Sequence, residues 1–259
     1  MESFDFEEER KFSNDELERI FKVVKRPSFT FQVIHKDSSN PRISKFGGVE
    51  PYLPTKGPIH CECHSKMIFV FSLYVSTLPD EVKSYFPSDH EYVLLGFTCE
   101  SCFIRNHVEV IVDDEIDQLV YNSPPKMPFN QPRTVVGYER QDGFPVHFIE
   151  IQREFPILQQ YTRDDLLLLD EEFAYYLNTR YPKDGNQHFT QCGTHLLGYP
   201  DFVQGDDRPY SLVQSKHILL MNISEGEAST NMWGDCGSCQ VWMTIEEEFG
   251  TFVMNWACC

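Results

Sequence analysis

Residues 61–75 read CECHSKMIFVFSLYV, and residues 92–102 read YVLLGFTCESC. Each stretch holds an apolar run of strand length, 67–75 (MIFVFSLYV) and 92–98 (YVLLGFT), next to a cysteine pair. Runs this short, rich in aromatic and β-branched residues and bounded by turn signals, are read as buried strands. Pro79 and Pro87 punctuate the loop between them. Paired as antiparallel neighbours, the start of the first strand lies beside the end of the second. Cys61-Glu-Cys63-His64 and Cys99-Glu-Ser-Cys102 then meet at one sheet edge. Zinc takes four such soft ligands at about 2.0–2.3 Å in a tetrahedron. The two-residue spacer of Cys99-x-x-Cys102 lets both sulfurs reach one ion. The one-residue spacer of Cys61-x-Cys63 is less usual, and in a strand it places both on one face. The expectation is one structural zinc on Cys61, Cys63, Cys99 and Cys102, with His64 able to replace Cys63. The alternative is a set of reduced, half-buried thiols.

Outward from this pair, Ser13-x-x-Glu16 has the form of a capping box, and Leu17, Ile20, Phe21 and Val24 follow at helical spacing. Residues 29–34 (FTFQVI) read as a strand, followed by turn residues and Lys45-Phe-Gly-Gly48. Residues 107–113 (HVEVIVD) alternate as a half-buried strand does. Pro124, Pro125, Pro128 and Pro132 make 122–133 a linker or surface strap, because proline interrupts both helix and central strand. Thr162-x-x-Asp165 precedes a helix over 166–178, and short strands are expected at 217–223, 239–245 and 251–257.

Two stretches align at an offset of 150. Gly48 falls on Gly198, Tyr52-Leu53 on Phe202-Val203, Ser65–Ile68 on Ser215–Ile218, and Phe69-Val70-Phe71 on Leu219-Leu220-Met221. After an insertion of nine residues, Leu94–Cys99 faces Val253–Cys258. The reading is one supersecondary unit used twice, at about 45–102 and about 195–259, with chance likeness of two glycine loops as the alternative. Two copies about a pseudo-two-fold axis make one domain.

The chain has 259 residues, with 22 Lys plus Arg against 40 Asp plus Glu, a formal charge of −18. Its 21 Phe and 12 Tyr exclude disorder as the dominant state. No apolar run approaches the roughly 20 residues that a spanning helix needs. The negative balance argues against nucleic acid and anionic membranes as ligands and favours a basic protein partner. Acidity that only maintains solubility is the plainer reading. MESFDFEEERKF at 1–12 is acidic where a secretory signal is basic and then apolar, so a cytoplasmic or nuclear location with reduced thiols is expected. Nine cysteines, an odd number, fit a disulfide framework poorly.

Phe46-Gly-Gly48, Pro51 and Pro54 before an apolar strand, then Leu197-Gly-Tyr-Pro200, Gln204, the strand 218–221 and Met232-Trp-Gly-Asp235, form an ordered set over roughly 45–259. This order resembles the YwqG-like family, a domain of unknown function. The resemblance implies a single α+β domain with a large antiparallel sheet and internal pseudo-symmetry, and it implies no activity. The first repeat unit is also similar to the programmed cell death protein 2 family, whose members resemble chaperones for a basic ribosomal protein. There a Cys-x-x-Cys pair stands where this chain has Cys61-x-Cys63, and the C-terminal half follows the other pattern. The expected fold is therefore an α+β, sheet-rich single domain over 1–259 with internal duplication.

Other constellations are less productive. Cys236, Cys239, Cys258 and Cys259 offer a weaker second metal site. Cys236-Gly-Ser-Cys239 lacks both the following aromatic and the downstream histidine of a papain-type site, and the strand after it does not suit redox chemistry. The acidic run Asp113–Asp117 suits a cation, but a solvated edge explains it more simply. Trp233-Gly-Asp235 is a tight turn by composition and, with Gln204, a candidate ligand contact. No HExxH, GxSxG or P-loop occurs. The expected function is an acidic protein-binding module, an adaptor or chaperone for a basic protein. A toxin-neutralising or host-interference protein, and an unrecognised enzyme around 204–235, are the alternatives.

Overall fold

The computed structural model describes residues 10–99, 101–102, 105–122, 132–180, 193–202, 208–209, 212, 216–224, 237–245 and 250–257. The chain divides into two compact units, Met1–Pro27 with Asp142–Gln191, and Ser28–Gln141 with Cys192–Cys259.

The first unit is helical, with α1 (Asn14–Val24), α2 (Phe148–Ile151) and α3 (Arg163–Arg180). The expected caps form. The Ser13 side chain accepts from the Glu16 amide, and Thr162 and Asp165 cap each other reciprocally at 3.2 and 2.8 Å. Leu17, Ile20 and Val24 of α1 are buried, as are Leu166, Leu169, Phe173 and Leu177 of α3. Glu172, also buried, accepts the Lys11 and Phe12 amides at 2.9 and 3.0 Å, so its charge is met by two donors.

The second unit is built on strands. These are β1 (Arg26–Ile34), β2 (Lys45–Phe46), β3 (Glu50–Tyr52), β4 (Ile68–Tyr74), β5 (Tyr92–Thr98) and β6 (Asn106–Val112). After them come β7 (Val120–Asn122), β8 (Arg133–Gly143), β9 (His195–Leu197), β10 (His217–Ser224), β11 (Ser238–Thr244) and β12 (Phe252–Ala257). One short helix, Asp80–Lys83, lies between β4 and β5. Ten strands form one antiparallel sheet in the order β12-β11-β10-β9-β1-β8-β2-β4-β5-β6, and β3 pairs with β7 separately. The fold is α+β and sheet-rich. The Cα traces of β6 and β12, the two ends of the order, come within 8 Å of each other, so the sheet curls.

The order reads symmetrically from the middle: β1-β9-β10-β11-β12 one way, β8-β2-β4-β5-β6 the other. The β4–β5 ladder shifts register between Phe69 and Phe71, and the β10–β11 ladder between Leu219 and Met221. Gly47 and Gly48 have φ of 61° and 81°, and Leu197 and Gly198 have 56° and 75°. Both pairs of features lie 150 residues apart. The strand that takes the place of β5 in the second half is β11, not 251–257. Ile68 pairs with Thr98 where Ile218 pairs with Met243, and 252–257 takes the place of β6.

Inside the curl lie Phe46, Val70, Phe71, Leu94, Leu196, Leu220, Met221 and Val241. Leu53, Met67, Phe69, Leu95, Phe97 and Ile111 cover the opposite face of the first half. Leu212, Leu219 and Trp242 cover that of the second. Gly96 is required here, since a Cβ would lie 2.1 Å from the Phe71 ring. Of the strap at 122–133, residues 123–131 lie outside the described residues. Among the described residues no helix is long and apolar enough to cross a membrane.

Candidate metal centre

Two loops at one end of β4, β5 and β6 supply four sulfurs. The first loop leads into β4. Cys61 donates its amide to the Ser65 carbonyl at 2.8 Å, and Met67 donates to Ile59 at 2.9 Å, which closes a tight reversal. His64, at φ 67°, turns the chain at its tip. The second loop joins β5 to β6, and the Cys99 amide donates to the Arg105 carbonyl at 3.0 Å. β4 and β5 are antiparallel, with Ile68 opposite Thr98, so the entry of one strand adjoins the exit of the other.

All four ligand atoms, on Cys61, Cys63, Cys99 and Cys102, lie within 4.8 Å of one another. The closest contacts run between the loops. Cys61 Sγ is 3.6 Å from Cys102 Sγ, and Cys63 Sγ is 3.5 Å from Cys99 Sγ. Four sulfurs about 2.3 Å from one tetrahedral ion stand about 3.8 Å apart, and a disulfide needs about 2.05 Å. The spacing is therefore that of ligands around a common centre. Cys61 and Cys99 are buried against Leu53, Met67 and Phe97, Cys102 is half-buried, and Cys63 is exposed. Four cysteines so placed could hold a metal ion.

The electrostatics of the bare thiols agree with that donor set. The Ser65 amide, then its hydroxyl and the neighbouring thiols, draw Cys63 down to about 6. Cys61 is drawn down by the Cys63 amide, but desolvation and the three neighbouring thiols push it up to about 12. Cys63 gives up its proton readily beside the Ser65 amide, while Cys61 keeps its own. Four thiolates together need a cation to offset their repulsion.

Of the expected ligands, the fold brings together all four cysteines. His64 is exposed at the loop tip and is not in the group, whereas Cys63 is. Glu62 and Arg105, one on each loop, form an ion pair at 2.8 Å across the site. Sequence reading passed over them, although each sits one to three residues from a cysteine. Gln204, Trp233 and Asp235, the candidate ligand contacts, lie outside the described residues, as do Cys236, Cys258 and Cys259. Cys239 is buried on β11 in the apolar interior, where burial pushes its thiol well up. The acidic run is engaged in structure. Asp113 accepts the Glu91 amide at 3.0 Å and sits 2.6 Å from His90 Nδ1, and Asp117 pairs with Arg42.

A second pair of residues escaped the sequence reading. Lys45, with a side chain 2 % exposed, donates from Nζ to the Val49 carbonyl at 2.8 Å. At the same offset of 150, buried His195 places Nε2 3.0 Å from the Tyr199 carbonyl. Each side chain ties the glycine turn that follows it, the first through an ammonium and the second through an imidazole.

Residues 44–258 match the family described as a domain of unknown function (DUF1963). The chain belongs to that family. Among curated proteins none matches it.

Proposed function

We propose that this member of the DUF1963 family holds one structural zinc ion on Cys61, Cys63, Cys99 and Cys102 and acts as a binding module for a basic protein. The convergence of four sulfurs at tetrahedral spacing supports the zinc. An all-thiolate set is soft and closed, which suits a structural ion rather than a catalytic one with an open position. Purified, reduced protein prepared without chelator is expected to carry about one zinc per chain. Metal content near zero would refute this reading.

The observation that carries the binding role is charge. The net charge is −18, and residues 192–259 alone hold nine acidic and two basic side chains. Such a field steers cationic partners and repels anionic ones. Gln204, Trp233 and Asp235 remain the proposed contacts in that half. The similarity of the first repeat unit to the programmed cell death protein 2 family, whose members resemble chaperones for a basic ribosomal protein, points in the same direction by analogy. The symmetric strand order supports the reading that one unit is used twice, with the metal confined to the first copy: Thr244 stands where Cys99 would fall. Reduced thiols fit a cytoplasmic setting. A pull-down at low salt is expected to enrich basic proteins, with most of the signal lost as salt shortens the Debye length toward about 3 Å at 1 M. Hits that are not basic, or that persist unchanged in high salt, would count against the role.

A further inference from the structure

We propose that the four-cysteine centre is an oxidation site, where a hydroperoxide converts Cys61–Cys102 and Cys63–Cys99 into two disulfides and expels the metal. This rests on the zinc reading above. Three features of the geometry carry it.

First, the shortest sulfur contacts join the loops rather than lying within them, at 3.6 and 3.5 Å. Second, each of these pairs couples a sulfur near solvent with a buried one. Cys63 is exposed and its partner Cys99 is buried; Cys102 is half-buried and its partner Cys61 is buried. The outer sulfur is the one a peroxide reaches, and the inner one is placed to resolve it. Third, the loops have ties that do not involve the sulfurs. The backbone closures at Ile59–Met67 and Cys99–Arg105 keep the shape of each loop, the pairing of Ile68 with Thr98 holds the loops side by side, and the exposed Glu62–Arg105 ion pair spans them when a sulfur leaves the ion.

The chemistry balances with hydrogen peroxide as the named oxidant. The Cys63 thiolate attacks one peroxide oxygen, the O–O bond breaks, and a sulfenic acid and hydroxide form. The Cys99 thiolate then attacks that sulfur, forming the S–S bond and releasing a second hydroxide. Two thiolates have lost two electrons and one peroxide has gained them. A second peroxide does the same for Cys102 and Cys61. The ion, without thiolate ligands, departs hydrated. Four thiolates around a dication carry two net negative charges, and two disulfides carry none. Oxidation would therefore weaken the local field that attracts a basic partner while leaving β4 and β5 cross-linked.

The test uses the reduced, zinc-loaded full chain treated with two equivalents of hydrogen peroxide. Zinc is read with a chromogenic chelator, and the protein by intact mass and by peptide mapping after cleavage at Glu62 and Glu100. The expected result is loss of the whole zinc content, a chain lighter by four hydrogens, and bridges joining 61 to 102 and 63 to 99. Reductant with added zinc restores the starting state. In Cys63→Ser a single bridge, 61 to 102, is expected. Zinc retained under these conditions, bridges within a loop, or sulfurs that gain oxygen instead of bridging would each overturn the proposal. Protein that carries no zinc as isolated yet forms the two cross-loop bridges would overturn the zinc reading and leave the oxidation pairing standing.

Discussion

Cys99→Ser protein is expected to lose its metal and to melt roughly 10 °C below the parent chain. Cys99 is 1 % exposed and follows the last residue of β5, so its sulfur enters the site directly from a strand end. A serine hydroxyl is a hard, protonated oxygen and does not replace a thiolate on zinc. It is also left among Leu53, Met67 and Phe97. With zinc at about a thousand times its Kd, the linked stabilisation is worth about 4 kcal/mol, and a domain of this size shifts about 2–4 °C per kcal/mol. Chelator should bring the parent chain down to the variant and leave the variant unmoved. A parent melting curve that ignores chelator would sink the prediction, because then serine would act only through packing.

Asp37→Ala is expected to cost about 3 kcal/mol, at the low end of the range for breaking a buried ion pair. Lys45 Nζ is 3.0 Å from Asp37 Oδ1, 2.7 Å from the Ser38 carbonyl and 2.8 Å from that of Val49, with the Phe69 and Tyr121 rings 5.5 and 5.4 Å away. Burial pushes the Lys45 pKa down and Asp37 opposes it. Removing the carboxylate leaves a buried ammonium without its counter-charge. Asp37 also accepts the Ser38 and Val49 amides at 2.8 Å, so two further donors lose their acceptor. The side chain of Asp37 is 29 % exposed, which admits water and keeps the loss near the lower bound. Gly48 allows this closure, since a Cβ there would lie 2.5 Å from Asp37 Oδ1. Denaturant titration of Asp37→Ala and of Asp37→Ala/Lys45→Met measures the effect. The double variant should recover part of the loss, because it removes the orphaned charge as well. A single-variant loss below about 1 kcal/mol would show that the pair does not hold this turn.

The strands with strong apolar content were legible in advance. β5 runs over 92–98 as read, and β4, β6, β10, β11 and β12 fall within one residue of their expected bounds. Both long helices announced themselves through their caps. β8 did not, because RTVVGYERQDG mixes polar and apolar residues without a clean alternation and has buried ends rather than a buried face. β2 and β9 are two and three residues long, too short for any periodicity, yet each links a middle strand of the sheet to the outer strands of its half. The offset of 150 is visible in residues, but the strand at the position of β5 on the other side of the sheet order is β11, not 251–257. Trp242 and Val241 on β11 share no identity with Phe97 and Gly96, and only the ladder register shows the match.

By itself the chain determined its element types, its charge, and the nearness of two cysteine pairs to two strand ends. These are local properties, set by apolar spacing and by residues adjacent in sequence. Tertiary structure alone decided that Cys63 rather than His64 faces the other sulfurs, that a lysine at 45 is buried, and that Glu62 reaches Arg105. Each of these depends on which way a side chain points after two remote loops have been brought together, and that direction follows from strand pairing and turn geometry, not from spacing along the chain.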